Sequence, residues 1–389
     1  RGGSEPSVTG PISENVRKGF LSRLSVLPRP IAIASPEARL SLSAFLLGLG
    51  LGNHFTLGFL LPIFVWAYLT SRYRGLALSQ VLVAFFILGL AVYLYIPIRA
   101  AANPSINWGQ ADTWEGFRWL VTAEPYRHLA FGTDLGEFLQ RMVVWGRLLV
   151  EQFTIVGVGV GFFGIMFLLQ RWPRILGATA TLVLLYTLYT IGYRTDDSYV
   201  YLIPVFVIVT LWIGVGWWSI VVVTLPTLLV RSQRSLPIAR TLLVLAVAIP
   251  IFNGIANYGD RDISGDVVAQ EYAYSVFQEV EEQALIMVIG DAEVFALWYE
   301  RYVEKPDSQI RVVAAHLLDH QWYWDDIHSL YAEHASLKDP GSWEPRTMAL
   351  VEANLDHRPV YFTYQDPKIS ERYELVPQGP LTLRPTAPH

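Results

Sequence analysis

The stretch Tyr95–Arg127, "YIPIRAAANPSINWGQADTWEGFRWLVTAEPYR", begins as the end of an apolar run and then lays down guanidiniums, amides, carboxylates and indoles. Trp108, Trp114, Trp119 and Tyr126 are residue types that prefer a membrane–water interface, so an interfacial anchor is one reading. "TWEGFRWLV" has Trp114, Phe117, Trp119 and Leu120 available for one face and predicts an amphipathic helix lying on a membrane. A second group lies downstream in "HLLDHQWYWDDIHSLYAEH", with His316, His320, His328 and His334 beside Asp319, Asp325 and Asp326. His316 and His320 are four apart, and a nearby carboxylate could complete a metal site. The pair straddles the end of an expected strand and no H-E-x-x-H pattern appears, so no metal is expected. The others are read as surface histidines. Gly290-Asp291 closes another apolar run, either as a ligand turn or with Asp291 as the N-cap of the next helix.

These groups must be positioned by a chain that is 52% hydrophobic and 16% charged. A soluble protein carries about 25% charged residues. The apolar residues lie in blocks at 55–70, 76–97, 153–169, 175–192, 199–230 and 241–257, and about 20 apolar residues span a bilayer as a helix. The expected fold is an α-helical multi-pass membrane bundle. The formal charge of −5 divides unevenly. Residues 1–258 hold 19 Lys+Arg against 11 Asp+Glu, and residues 259–389 hold 10 against 23. That shift sets a domain boundary near Tyr258. The absence of cysteine excludes disulfides and thiolate metal sites.

Basic residues in short loops mark the cytoplasmic side. Arg17, Lys18, Arg23, Arg29 and Arg39 place residues 1–39, a Ser/Pro/Gly/Arg-rich stretch read as disordered, inside. The chain then alternates through about seven segments in residues 40–258. Inner loops carry Arg72 and Arg74, Arg171 and Arg174, and Arg231, Arg234 and Arg240. The loop 98–137 and the turn "YRTDDS" fall outside, as does the acidic tail. Gly48 and Gly52, and Gly157 and Gly161, have small-xxx-small spacing that lets helix backbones approach, or are ordinary membrane-helix glycines. Trp212, Trp217 and Trp218 fit an interfacial belt or a lipid-facing edge. Glu151, one turn from Arg147 and beside an apolar span, is expected to pair with it rather than face a cavity.

Residues 259–389 predict a smaller extracytoplasmic α/β domain, long enough to hold its own core. "ALIMVIG" reads as a strand, followed by a helix with Phe295, Trp298, Tyr299 and Tyr302 on one face. "QIRVVAAHLL" reads as a second, parallel strand, and "RPVYFTYQ" and "YELVPQGPLTLR" as two more.

The blocks "GLGLGNHFT" (48–56), "YIPIRAAANPSINWGQADTWEGFRWLVTAEPYR" (95–127), "GDAEVFALWYERYVE" (290–304) and "RPVYFTYQ" (358–365) together resemble a family of multi-pass proteins. That family includes the transmembrane O-mannosyltransferases acting on plexin-type IPT domains, and bacterial homologues. The resemblance implies a GT-C glycosyltransferase that takes a sugar from a polyprenyl-phosphate donor, an anionic lipid, on the outer membrane face. Its acceptor would be a protein or envelope glycan. The lipid-phosphate-linked sugar is a co-substrate, and no cofactor, metal or nucleic-acid partner is expected. Such chemistry needs cations at the interface to hold the phosphate. Arg99 is the first candidate, followed by Arg118, Arg127 and His54 beside Asn53; snorkelling to headgroups is the alternative role for Arg99. Asn103, Asn107 and Trp108 could bind or stack on the sugar. The acceptor hydroxyl needs a carboxylate base, and the family's acid lies in the first outer loop. Here the first turn, Gly52-Asn53-His54, has none, so the chain is expected to be N-terminally truncated and to lack the catalytic loop. Asp112, Glu115, Asp196 and Asp197 are outer carboxylates without motif support as base; Asp196-Asp197 can instead cap the following helix. The rival function is a membrane transporter or lipid-handling protein with an outer ligand-binding domain. The expected setting is a bacterial plasma membrane.

The charge alternation generates one test. Protease added to intact cells or spheroplasts should remove residues 259–389, and complete protection of that tail would reverse the orientation.

Overall fold

The computed structural model describes residues 35–224, 235–330 and 336–388. Arg17, Lys18, Arg23, Arg29, Arg231, Arg234 and His334, each of which carries an expectation above, lie outside the described residues. The chain divides into two compact units, residues 1–93 and 94–389.

In the first unit, α1 (Pro36–Leu51) starts four residues before the expected position. The Ser35 hydroxyl accepts the Ala38 N–H at 3.2 Å and Pro36 occupies the first turn. A 3-10 turn (Phe55–Phe59) leads into α2 (Leu60–Thr70), and α3 (Leu76–Leu90) returns against α1. The crossing depends on two glycines. A Cβ on Gly48 would overlap the Phe86 carbonyl, and one on Gly89 the Phe45 carbonyl. Backbone-to-backbone contact of this kind is how membrane helices gain van der Waals energy without a hydrophobic driving force. The Tyr93 hydroxyl donates to Leu51 O at 2.6 Å and closes the pair.

The helical run continues through α4 (Tyr95–Ala100) to the loop, where α5 (Trp114–Val121) forms. Then come α6 (Leu135–Arg171), α7 (Pro173–Gly192), α8 (Ile203–Trp218) and α9 (Ser235–Ala256). Seven membrane segments are expected from the charge pattern. Among the described residues, four helices are long and apolar enough to cross a bilayer: Leu76–Ala100, Leu135–Arg171, Pro173–Gly192 and Ser198–Val222. Phe55–Thr70 and Val244–Ala256 are shorter apolar helices. The 37 residues of α6 exceed the hydrocarbon thickness, and the helix breaks at Thr154 (φ 60°, ψ 164°). Its glycine contact with α8 runs from Gly161, which faces Ile213, to Gly164 and Gly216, where the backbones come closest. A Cβ at either Gly164 or Gly216 would strike a carbonyl of the other helix, Trp212 O or Val160 O. Trp212 is 9% exposed and its indole donates to the Thr179 hydroxyl at 3.1 Å. Trp218 packs on Phe167, ring centroids 5.3 Å apart. Both therefore face protein rather than a lipid edge. Arg147 and Glu151 are exposed, and no ion pair joins them among the described residues.

The C-terminal part is a mixed sheet with helices. After α10 (Val268–Glu279) come β1 (Leu285–Val288), α11 (Asp291–Tyr299), β2 (Arg311–Ala314), α12 (Gln321–Leu330) and α13 (Trp343–Leu355). β3 (Val360–Phe362), α14 (Pro367–Arg372), β4 (Tyr373–Pro377) and β5 (Leu383–Pro388) complete it. The strand order is β2-β1-β3-β5-β4. β1 is parallel to β2, as the intervening helix requires, and parallel to β3; β5 runs antiparallel to β3 and β4. All four residues of β1 are fully buried, which is why the strand reads as an unbroken apolar run. The buried face of α11 is Val294, Leu297 and Trp298, whereas Phe295 and Tyr299 are 50% and 54% exposed. The expected stripe is thus one residue out of phase, and Phe295 is left to meet the loop.

A buried arginine ties α13 to the turn before α12. Arg346, 2% exposed, donates to Leu318 O at 2.6 Å and Gln321 Oε1 at 2.6 Å and makes a two-point contact with Asp339 at 2.7 and 2.6 Å. Those hydrogen bonds hold the Asp339 carboxyl down to about 2. An acid lowered in the folded state stabilises the fold above its ordinary pKa and loses that contribution as pH falls through the folded value. Asp339→Asn should cost about 2–3 kcal/mol at pH 7, below the figure for a fully buried pair because part of the carboxylate is open to water. The gap between wild type and variant in pH-dependent denaturation should close between pH ~4 and ~2. A gap independent of pH would show that the carboxylate charge contributes nothing.

Candidate functional site

The loop after α4 does not stand apart from the C-terminal sheet. The turn Trp108–Gln110 lies on the first turn of α5: Gly109 has φ 75°, and a Cβ on Gly116 would overlap the carbonyls of Gly109 and Gln110. The Thr113 hydroxyl caps α5 by accepting the Gly116 N–H at 3.0 Å. Held this way, the loop presents two indoles to the tail. Trp108 packs between Trp322 (5.4 Å between centroids) and Phe295 (6.3 Å). Trp119 meets His320 edge-on at 5.5 Å and Trp322 at 6.1 Å. Ile106 also packs on the core of the sheet domain. Gln110 Nε2 donates to Asp326 Oδ1 at 3.2 Å and to Trp322 O at 3.4 Å. Burial holds the Asp326 carboxyl above the ordinary range, against the lowering effect of the Gln110 side chain and the Asn107 N–H.

The aromatic loop is therefore not a uniform interfacial anchor. Trp108 and Trp119 are part of the tail's packing, while Trp114 is 77% exposed and Tyr126 51%. Trp108 has little face left for stacking on a sugar. Asn107 donates to Asp112 at 3.1 Å. Asn103 is exposed and adopts a left-handed conformation at φ 54°. Glu115 is exposed in the first turn of α5. Arg118 is paired with Glu124 at 3.3 Å, which leaves it a poor phosphate ligand. Arg127 is exposed, with Nε donating to Thr122 O at 3.3 Å. Arg99 is exposed in the last turn of α4, with no ion pair among the described residues.

A second convergence lies at the carboxyl ends of β1 and β2. Gly290 (φ 95°) is the N-cap of α11 and Asp291 its first residue, so Asp291 is not the cap. Its carboxylate lies 3.3 Å from His316 Nε2. The Tyr126 phenol is raised by burial and then by the Asp291 charge. Tyr193, raised by burial, also feels Tyr126 and Asp197. His316 and His320 have different partners. His316 faces Asp291, while the His320 ring lies against Trp119 and Trp322. No three potential ligands gather among the described residues. His328 is half-buried with its ring 4.5 Å from Trp324, not a surface histidine.

Asp196 and Asp197 are exposed. Asp197 occupies the N-cap of the 3-10 turn Ser198–Leu202, but its side chain makes no capping bond. The residue that organises this turn is Arg141 of α6. Nη1 donates to Tyr193 O at 2.8 Å and Ser198 Oγ at 2.9 Å, Nη2 to Thr195 O at 3.2 Å, and Glu137 pairs with it at 2.9 Å. Sequence reasoning passed over Arg141. The signal is a Glu–Arg pair four residues apart near the start of a long helix. In the first unit Asn53 is exposed, and His54 is half-buried with Nδ1 2.8 Å from the Thr56 hydroxyl. Burial lowers the His54 pKa, which disfavours the charged imidazole.

Two comparisons with known proteins bear on this arrangement. A family model described as TMEM260-associated domain 2 matches residues 269–372, the core of the sheet domain. The Protein O-mannosyl-transferase tmem260 of Dictyostelium discoideum is 23% identical over an alignment covering 87% of this chain and 46% of that protein. The chain spans about half the length of this relative. No solved structure matches. The two matches support a family that includes O-mannosyltransferases, the one to which the sequence blocks point.

Loop docking is open to measurement. Trp108→Ala should destabilise the sheet domain by about 2 kcal/mol, half of what a fully buried indole costs. It should also speed amide exchange in α12, while Trp114→Ala leaves both unchanged. Equal stability of the two variants would show that docking carries no weight.

Proposed function

We propose that this protein is a membrane glycosyltransferase of GT-C type, which transfers a sugar from a polyprenyl-phosphate donor to a protein or envelope acceptor on the outer membrane face. The observation that carries this reading is the similarity to an O-mannosyltransferase along most of the chain, with a second match on the sheet domain. The reaction is a displacement with inversion at the anomeric carbon. The acceptor oxygen forms the new bond, the lipid phosphate leaves with the electron pair, and a carboxylate takes the acceptor proton.

Arg99 is assigned to the leaving phosphate. It ends the apolar run Leu76–Ala100 as an exposed guanidinium, and a cation at the end of a membrane helix lies at headgroup depth, where an anionic lipid must present its charge. Arg127 is the second cation of the loop in this reading. Arg118 is set aside because Glu124 neutralises it. For the base, Asp112 is engaged by Asn107 and shares its surroundings with Asp326. Asp197 is an exposed carboxylate whose charge bears on the Tyr193 phenol.

The test is donor binding by the reconstituted chain. Arg99→Ala should weaken binding of a polyprenyl-phosphate-linked sugar roughly ten- to a hundredfold, the loss of one charge-assisted contact. Expression and protease pattern should not change. Unaltered donor binding would remove Arg99 from the donor site and return it to a headgroup-anchoring role.

A further inference from the structure

The helix α5 has two sides in different company. On one side, Gly116 closes on the carbonyls of Gly109 and Gln110, and Trp119 meets Trp322 and His320 of the sheet domain. On the other, Trp114, Phe117 and Val121 recur at the spacing of a single helical face. The Trp114 indole is 77% exposed and lies 6.0 Å from the half-buried Phe117 ring. Among the described residues Trp108 and Trp119 pack on the core of the sheet domain, and Trp114 does not.

Apolar exposure continues at both roots of the loop. Ile98 stands in the last turn of the span Leu76–Ala100, and Phe131 and Leu135 stand where the span Leu135–Arg171 begins; all three are exposed. The outward face of α5 is thus tethered at either end to surface that lies in lipid. A stable protein–protein interface buries about 1,200–2,000 Å², which one indole and its neighbours cannot supply. An indole at a headgroup boundary needs no matching partner surface. Glu115 and Arg118 stand between the two sides of the helix, where a headgroup region accepts charge.

We infer that this face of α5 enters the headgroup region of the bilayer, and that α5 is thereby a bracket seating the sheet domain on the membrane surface. Trp114 holds the lipid side and Trp119 the domain side. A helix with its side chains is about 10–12 Å across, so the bracket keeps the Trp322–His320 cluster within about one helix diameter of the interface. The seating does not depend on the transferase reading.

The experiment uses single-cysteine variants of the full chain, which has no cysteine of its own, spin-labelled in phosphatidylcholine nanodiscs. A nitroxide at Trp114→Cys should relax more with oxygen than with a water-soluble nickel chelate, as a label at the exposed span position Val83→Cys does. Stronger relaxation by the chelate places the face in water and overturns the inference. Weak relaxation by both means that protein covers the face, and overturns it as well. Hydroxyl-radical footprinting of the unsubstituted chain gives a reading that no misfolded variant can confuse. Trp114 should be oxidised roughly fivefold more slowly than Tyr299, although Tyr299 is only 54% exposed in the structure; equal or faster oxidation overturns the inference. Seating is read at Asp319, exposed and next to His320. A label at Asp319→Cys should be relaxed by a headgroup-anchored nickel chelate and lose about half of that relaxation when Trp114→Glu is added. An unchanged value overturns the bracket.

Discussion

Burial of Trp108 and Trp119 against Trp322, Phe295 and His320 is the contact on which the arrangement of the second unit turns. Aromatic pairs of this kind add about 0.5–1.5 kcal/mol beyond the area they bury, and here several act together around one indole. The Gln110–Asp326 hydrogen bond fixes the register in which those rings meet. Without that contact the loop would be a tether between a membrane helix and a sheet domain. With it, the loop is a wall of the domain, and Arg99, Asn103 and Tyr126 are held at its margin.

A second constraint governs the helices. Gly48 with Gly89, and Gly164 with Gly216, remove the side chains that would keep two backbones apart. Both sites are intolerant of a single added carbon, so packing is specified by absence of bulk rather than by polar glue. Arg141 does the opposite near the first turns of α6. It gathers the carbonyls of Tyr193 and Thr195 and the Ser198 hydroxyl, so one guanidinium satisfies a turn that has little backbone pairing of its own. Asp196 and Asp197 sit on a turn that is built, not loose.

The functional reading gains and loses from this. Arg118 and Trp108 are committed to structural partners, and burial disfavours a charged His54. Arg99 and Arg127 keep their exposure. The sheet domain contributes more than an acidic appendage, because it offers a carboxylate–imidazole pair at the carboxyl ends of its strands and the rings that hold the loop.

Much was legible in the sequence where a local rule decides the outcome. The apolar blocks, the parallel β1–β2 pair and the helix over Trp114–Val121 follow from hydropathy, an intervening helix and the spacing of the aromatic residues. Each needs only neighbours in the chain. The glycine contacts were half legible: spacing named Gly48 and Gly161 but neither Gly89 nor the closest pair, Gly164 and Gly216, because a 3.6-residue period gives the face and not the depth at which two helices cross. What tertiary structure alone decided is partner choice across long separations. Trp108 reads as an interfacial or sugar-stacking indole until Trp322 is placed beside it. His316 and His320 read as a ligand pair until the turn between them sends one to Asp291 and the other to the indoles. Side-chain chemistry is written locally, but whether a group is spent on packing or left open for a ligand depends on which distant segment reaches it first.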